Sequence, residues 1–315
     1  MNTPAPARRP APPRWITRTD PRPDARLTLY CLPHAGGGAS AYRNWSAGLP
    51  AWVEVAAVQL PGRENRIADE ALVDPAAVAA AITADRDGRP YALFGHSMGG
   101  VLAFELARLL SGGGRVGPVR LGISGVAHPL LRAARLPLSG LPDEELLDWV
   151  RALGGAPEWA LSDPQFHELL LTPLRADLAW LEGHVHQAAA PLTCPVSVFA
   201  GEDDEHAQPA GIDSWREETS AGCSVRRYPG GHFYLDAQLP ALLRDLAEDL
   251  SERAEGRPGD MSVHAEDLAE GRPGDISVHA EDLSAHAGKL SAQAGELSAR
   301  AEELSTSADH TPPRR

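Results

Sequence analysis

The sequence predicts an α/β protein with a mostly parallel central sheet and helices on both of its faces. Two observations carry this. Short apolar runs recur at 27–32, 53–60, 91–94, 119–126, 194–200 and 223–228, with helical stretches between most of them. Strands joined by helical crossovers pair in parallel, and runs without strict alternation belong to a sheet covered on both faces. A third observation is Gly95-His96-Ser97-Met98-Gly99-Gly100, between the apolar run 91–94 and the apolar helical stretch 101–110. Strand, G-x-S-x-G and helix in that order form a sharp turn that lifts a serine hydroxyl clear of the backbone. Small residues are needed at Gly95 and Gly99, where strand and helix nearly touch. The same turn puts the Met98 N–H at a helix start, where the dipole favours negative charge.

Residues 1–26 are rich in proline and arginine and read as an extended, mobile arm. Arg8, Arg9 and Arg14 read as part of a solvated tail. The run 27–32 is the first core strand and leads into Pro33-His34-Ala35-Gly36-Gly37-Gly38. A glycine run after a strand lets backbone amides face a ligand, and in serine hydrolases such a loop supplies one N–H to an oxyanion. Ala35 is assigned that donor, with Gly36 as the alternative. A phosphate-binding loop is the rival reading, but G-K-[ST] and G-x-G-x-x-G are both missing. A short helix is expected at 39–49, a strand at 53–60 stopped by Pro61-Gly62, and a helix at 75–85 capped by Asp74 with proline at its first position.

After the strand 119–126 the alternation lapses. Two amphipathic helices are expected within 141–155 and 162–187, and about 128–190 reads as a helical lid, because a crossover needs far less chain. Trp149, Trp159 and Trp180 are candidates for an acyl pocket or for packing between lid helices. His184-x-His186 reads as surface histidines and not as a metal site, because two alternating imidazoles on a short stretch are weak evidence for one. The sheet resumes at 194–200, followed by Gly201-Glu202-Asp203-Asp204. The strand 223–228 precedes the loop Pro229-Gly230-Gly231-His232 and a closing helix over 233–253. Ser97, an aspartate past one strand and His232 past the next all fall at the carboxyl edge of the sheet, where open parallel sheets place their sites.

From 251 to 315 the composition turns to Ala, Glu, Ser and Gly. The 15-residue stretch 254–268 recurs almost unchanged at 269–283, and Leu283, Leu290, Leu297 and Leu304 then follow at heptad spacing. Gly288 and Gly295 interrupt that seam, each costing about 1 kcal/mol in a helix interior. The tail reads as disordered or weakly helical and carries no chemistry.

A formal charge of −14 excludes a general nucleic-acid binder. Cys31, Cys194 and Cys223 are isolated thiols, which favours a reducing, cytoplasmic setting. Residues 1–15 have no apolar core of a secretory signal, and no run approaches the roughly 20 apolar residues of a membrane span.

The residue types suit acyl transfer. Free serine needs a base and a place for the developing oxyanion. His232 is assigned as base, an aspartate holds its tautomer, and the Met98 and Ala35 amides hold the oxyanion. Asp204 has the favoured G-x-x-D spacing from Gly201, with Asp203 as the alternative. His96 is read as a structural neighbour, since an elbow directs adjacent side chains apart. No cofactor and no metal is expected.

PHAGGGASAYRNW, VQLPGRE, FGHSMGG, LRAD, the GEDD turn and GGHFYL occur in this order over about residues 26–250. This set resembles the type II thioesterases, free-standing editing enzymes of nonribosomal peptide and polyketide synthases. The resemblance implies an α/β-hydrolase fold for 27–250. It also implies hydrolysis of stalled or misprimed acyl groups from the phosphopantetheine thiol of acyl or peptidyl carrier proteins. It places the nucleophile on Ser97, the aspartate on Asp204, the base on His232 and the oxyanion amides on Ala35 and Met98. Two departures stand out. Glu205-His206 follows the aspartate turn where the family often has proline, and the repeated tail lies beyond the family's usual length. A small-molecule carboxylesterase or an acyltransferase with the same triad is the alternative enzyme. An interaction protein that recruits partners through its tail is the alternative outside catalysis. Arg132, Arg135 and Arg151 are candidates for docking an acidic carrier protein, and a monomer is expected, with an oligomer formed through the tail as the alternative.

Overall fold

Seven strands form one sheet in the computed structural model, which describes residues 15–129 and 137–254. They are β1 (Ile16–Thr17), β2 (Leu27–Leu32), β3 (Val53–Val58), β4 (Tyr91–His96), β5 (Leu121–Ser124), β6 (Val196–Gly201) and β7 (Cys223–Tyr228), in the order β1-β3-β2-β4-β5-β6-β7. Only the β1–β3 pairing is antiparallel. Expectations that fall on Arg8, Arg9, Arg14, Arg132 and Arg135, and on 255–315, lie outside the described residues.

Both faces of the sheet are buried, which is why its strands read as unbroken apolar runs. Alternate residues of β2 go opposite ways: Tyr30 and Leu32 pack with Val101, Phe104 and Trp215, whereas Leu29 and Cys31 pack with Trp45, Leu242 and Leu246. The first face is covered by α2 (Pro75–Asp85) and α3 (Met98–Ser111), the second by α1 (Trp45–Gly48) and α9 (Leu239–Ala254). Asp74 caps α2 through the Ala76 and Ala77 amides at 2.9 and 3.2 Å, with Pro75 at the first position.

The insertion forms α4 (Asp143–Leu153), α5 (Glu158–Ser162) and α6 (Pro164–Gly183) around its own core of Leu146, Leu147, Val150, Leu161, Leu171, Leu174 and Leu178. Gly154 ends α4 in the left-handed conformation at φ 73°, a place where a side chain would be strained. The remaining helices are α7 (Pro209–Asp213) and α8 (Tyr234–Ala237).

Three expectations are corrected. The helix expected at 39–49 is a 3-10 turn at Ala39–Tyr42 followed by α1, and the closing helix is broken at Gln238 before α9, with Pro240 just inside its start. The arm is not free as far as residue 26. Ile16 and Thr17 pair with Val58 and Ala57, and Arg66 lies 4.0 Å over the Trp15 ring. Arg18 grips Asp85 at 2.9 and 2.6 Å and Glu54 at 3.0 Å. Glu54 is buried on β3 and shared by Arg18 and Arg89, so Arg18 helps to hold the segment down. Among the described residues, no helix is long and apolar enough to cross a membrane.

Candidate active site

The turn after β4 is dictated by glycine. A Cβ on Gly95 would stand 1.9 Å from the Gly99 carbonyl oxygen, and one on Gly99 would stand 2.2 Å from that of Leu32. Ser97 sits between them at φ 55°, ψ −122°, a backbone state that a non-glycine residue adopts at a cost of about 1–3 kcal/mol. The Ser97 N–H donates to the Ser124 carbonyl at 2.8 Å, so the neighbouring strand holds the strained turn in place.

Two more loops arrive at the same edge. A Cβ on Gly201 would lie 2.3 Å from the Gly231 carbonyl oxygen, so the turn after β6 and the loop after β7 lie backbone against backbone. The Glu202 and Asp203 amides donate across to Tyr228 and Gly230 at 2.9 and 3.0 Å. This brings Asp204 Oδ2 to 2.9 Å from His232 Nδ1, and His232 Nε2 to 3.0 Å from Ser97 Oγ. The Asp204 side chain has no solvent exposure, and its other oxygen accepts from the His206 amide at 2.9 Å. Asp203 points to solvent. Glu205 and His206, which stand where the family often has proline, therefore leave Asp204 in contact with the imidazole.

His96 is buried and bonds through Nδ1 to Ser124 Oγ at 2.9 Å, which in turn meets the Tyr234 hydroxyl at 2.7 Å. It is a neighbour that packs 5.0 Å from the His232 ring. Burial pushes the imidazoles of His96 and His34 below their ordinary values, and both are neutral at neutral pH.

The two backbone donors differ in how they are built. Met98 opens α3, so its N–H has no acceptor within the helix. Ala35 lies in the loop after β2. No acceptor among the described residues takes either N–H. Gly36, the alternative donor, is occupied: its N–H donates to Asp177 Oδ2 at 2.8 Å. Asp177 lies on α6 and is fully buried. Arg63 holds both its oxygens at 2.5 and 2.8 Å and reaches the Gly37 carbonyl at 3.0 Å. Sequence reading quoted LRAD as a motif but missed this role. The signal was Asp177, a carboxylate one helical turn from Leu174 on the apolar side of α6; Arg63, in the loop after β3, gave none.

A chamber lined by Trp149, Val150, Leu153, Leu170, Leu174 and Phe233 opens onto Ser97 and His232. Of the three tryptophans considered for it, only Trp149 takes part. Trp180 packs towards the body core, and Trp159 is 63% exposed against Phe166. Arg151 is paired with Asp148 and Glu158 at 2.5 and 3.2 Å, so its charge is largely spent within the lid. His184 and His186 are not surface histidines, their side chains being 11% and 6% exposed.

A family model described as "Thioesterase domain" matches residues 27–250. The chain belongs to the thioesterase family. It is a serine hydrolase of thioesters with an α/β-hydrolase fold. It is 37% identical over 240 residues to the gramicidin S biosynthesis protein GrsT of Aneurinibacillus migulanus, covering 75% of this chain and 94% of that one. It is 39% identical over 241 residues to the thioesterase PikA5 of Streptomyces venezuelae, covering 75% of this chain and 85% of that one. Among solved structures, the type II thioesterase BorB from the borrelidin biosynthetic cluster superposes with a TM-score of 0.69 at 34% identity. That match covers 77% of this chain and all of BorB.

Proposed function

We propose that this thioesterase is an editing enzyme that hydrolyses aberrant or stalled acyl groups from the phosphopantetheine thiol of carrier proteins in polyketide or nonribosomal peptide biosynthesis. The observation that carries the reading is the relay from Asp204 through His232 to Ser97, at 2.9 and 3.0 Å, beside an apolar chamber. The named relatives from antibiotic pathways support the substrate class.

His232 Nε2 takes the Ser97 proton as Oγ attacks the acyl carbonyl, while Asp204 orients the imidazole and steadies its charge. The tetrahedral oxygen collects the Met98 and Ala35 N–H groups; losing one such donor typically costs on the order of 3 kcal/mol in the transition state. Collapse expels the pantetheine sulfur. A thiol has a pKa near 8.5, so it leaves with little help, and the imidazolium returns its proton to it. His232 then takes a proton from water, which attacks the acyl-serine, and returns it to Ser97 Oγ as that bond breaks and the free acid departs.

Docking belongs to the lid. Trp159 and Leu169 are exposed there, Phe166 is partly so, and Leu170 beside them lines the chamber. Apolar contact suits a partner that shares this chain's negative sign. The test is a panel of acyl-carrier thioesters assayed with the native chain and with Ser97→Ala. Turnover is expected to fall by at least about 10³-fold in the variant with no change in Tm. Faster turnover of a matched simple ester than of the acyl-carrier would overturn the substrate assignment.

A further inference from the structure

A second cluster of chemically able side chains lies at the root of the lid, and none of its members lines the catalytic chamber. His128 stands where the chain leaves the sheet after β5, and His186 stands where it comes back after α6. Glu218 ends the 3-10 turn Ser214–Glu218 on the body. His128 Nε2 lies 2.7 Å and His186 Nε2 lies 3.1 Å from one atom, Glu218 Oε1. All three side chains are at most 10% exposed.

We propose that His128, His186 and Glu218 form a binding site for a divalent transition-metal ion of the zinc class. The donor set of two imidazole nitrogens and one carboxylate oxygen is one that zinc takes, with a fourth position left for water. Ligand atoms around a tetrahedral zinc stand about 3.3 Å apart, given bonds near 2.0–2.1 Å. The two nitrogen–oxygen separations here, 2.7 and 3.1 Å, lie near that spacing, and all three donor atoms fall within 4.8 Å of one another.

The surroundings hold the three groups in position. The His186 ring stacks on Phe104 at 5.9 Å, and His128 meets Trp215 edge-on at 5.0 Å. The His128 backbone is tied to the Gly211 carbonyl at 2.9 Å, and the Glu218 carbonyl accepts from Leu192 at 2.8 Å. Arg108 takes the far carboxylate oxygen, Oε2, at 3.2 Å and so turns Oε1 toward the imidazoles. Its positive charge opposes a cation, while the carboxylate of Glu105 acts on His186 with the opposite sign. An outer partner that orients a ligating carboxylate in this way is common around bound metals. An ion here would fasten both ends of the lid to one point on the body. Its role is structural, and the hydrolytic steps do not pass through it.

The test uses the full chain, stripped with chelator and titrated with Co²⁺ at pH 7.5. One equivalent is expected to give a visible d–d band that one equivalent of Zn²⁺ abolishes. Zinc at about 100 times its Kd should raise Tm by roughly 5 °C or more. Both effects should disappear in His186→Gln and in Glu218→Gln, and both should persist in His232→Asn. His186 lies outside helix and strand, so His186→Gln decides the matter if the glutamate variant does not fold. Absence of a stoichiometric band in the native chain, its survival in His186→Gln, or its loss in His232→Asn would each overturn the proposal.

Discussion

Two adjacent carboxylates, Asp203 and Asp204, differ in everything that matters for an imidazole partner. Asp204 is buried and bonded to His232 Nδ1, while Asp203 faces water. Asp204→Asn is expected to lower kcat about 10⁴-fold by presenting the wrong hydrogen-bond partner to the ring, as in other serine triads. Asp203→Asn should change kcat less than about twofold, and steady-state kinetics of the pair checks both. The buried imidazoles of His34 and His96 make a different prediction. Each has a folded pKa below its unfolded one, so below pH 6.5 the unfolded chain binds protons that the folded chain refuses. Their contribution is present above the unfolded value and is lost as pH falls toward the folded one. Stability should drop between pH 7 and 5 by up to about 1.4 kcal/mol per pH unit for each histidine. Urea unfolding of the native chain and of His96→Gln should give a shallower slope for the variant.

Among elements, α6 does more than cover the site. Asp177 on its inner face receives Arg63 from the loop after β3 and the Gly36 amide from the loop after β2. The lid is thereby joined to the loop that carries the Ala35 N–H. Removing one partner of a buried ion pair leaves the other charge unpaired, at about 3–5 kcal/mol. Asp177→Ala is therefore expected to lower Tm by roughly 10 °C and, if the Ala35 N–H serves the proposed oxyanion site, to reduce kcat more than it raises KM, because the loop that carries it loses its anchor. Arg63→Leu combined with Asp177→Leu should recover part of the stability but not the kcat. Differential scanning fluorimetry together with kinetics separates the two effects. Equal recovery of both would mean that the pair only supports the fold.

At the scale of the whole chain, the last side chains among the described residues that pack into the core belong to α9, Leu250 among them, and the family match ends at residue 250. A chain ending at Ala254 is expected to keep kcat/KM on acyl-carrier substrates within about twofold of the full chain, at equal Tm. A larger loss would give the tail 255–315 a part in catalysis. The lid, by contrast, cannot be trimmed without opening the chamber, because Trp149, Leu170 and Leu174 form its wall.

Much of this was legible in the residues themselves. The doubly covered sheet announced itself as unbroken apolar runs, the elbow as paired glycines flanking Ser97, and the cap of α2 as Asp74 before proline. These are local rules, in which spacing along the chain and the steric limits of the backbone decide the outcome. Only tertiary structure could settle what depends on groups far apart in sequence. It set Asp204, and not Asp203, against His232 because the loops after β6 and β7 lie backbone against backbone. It left the Ala35 N–H open and engaged that of Gly36 because a carboxylate 141 residues away reaches the glycine. It set the His186 side chain, almost fully covered, against Glu218, which lies far along the chain and not beside it in sequence. Contacts of this kind arise when separate segments are pressed into one low-dielectric interior, and a linear pattern holds no record of which charges will meet there.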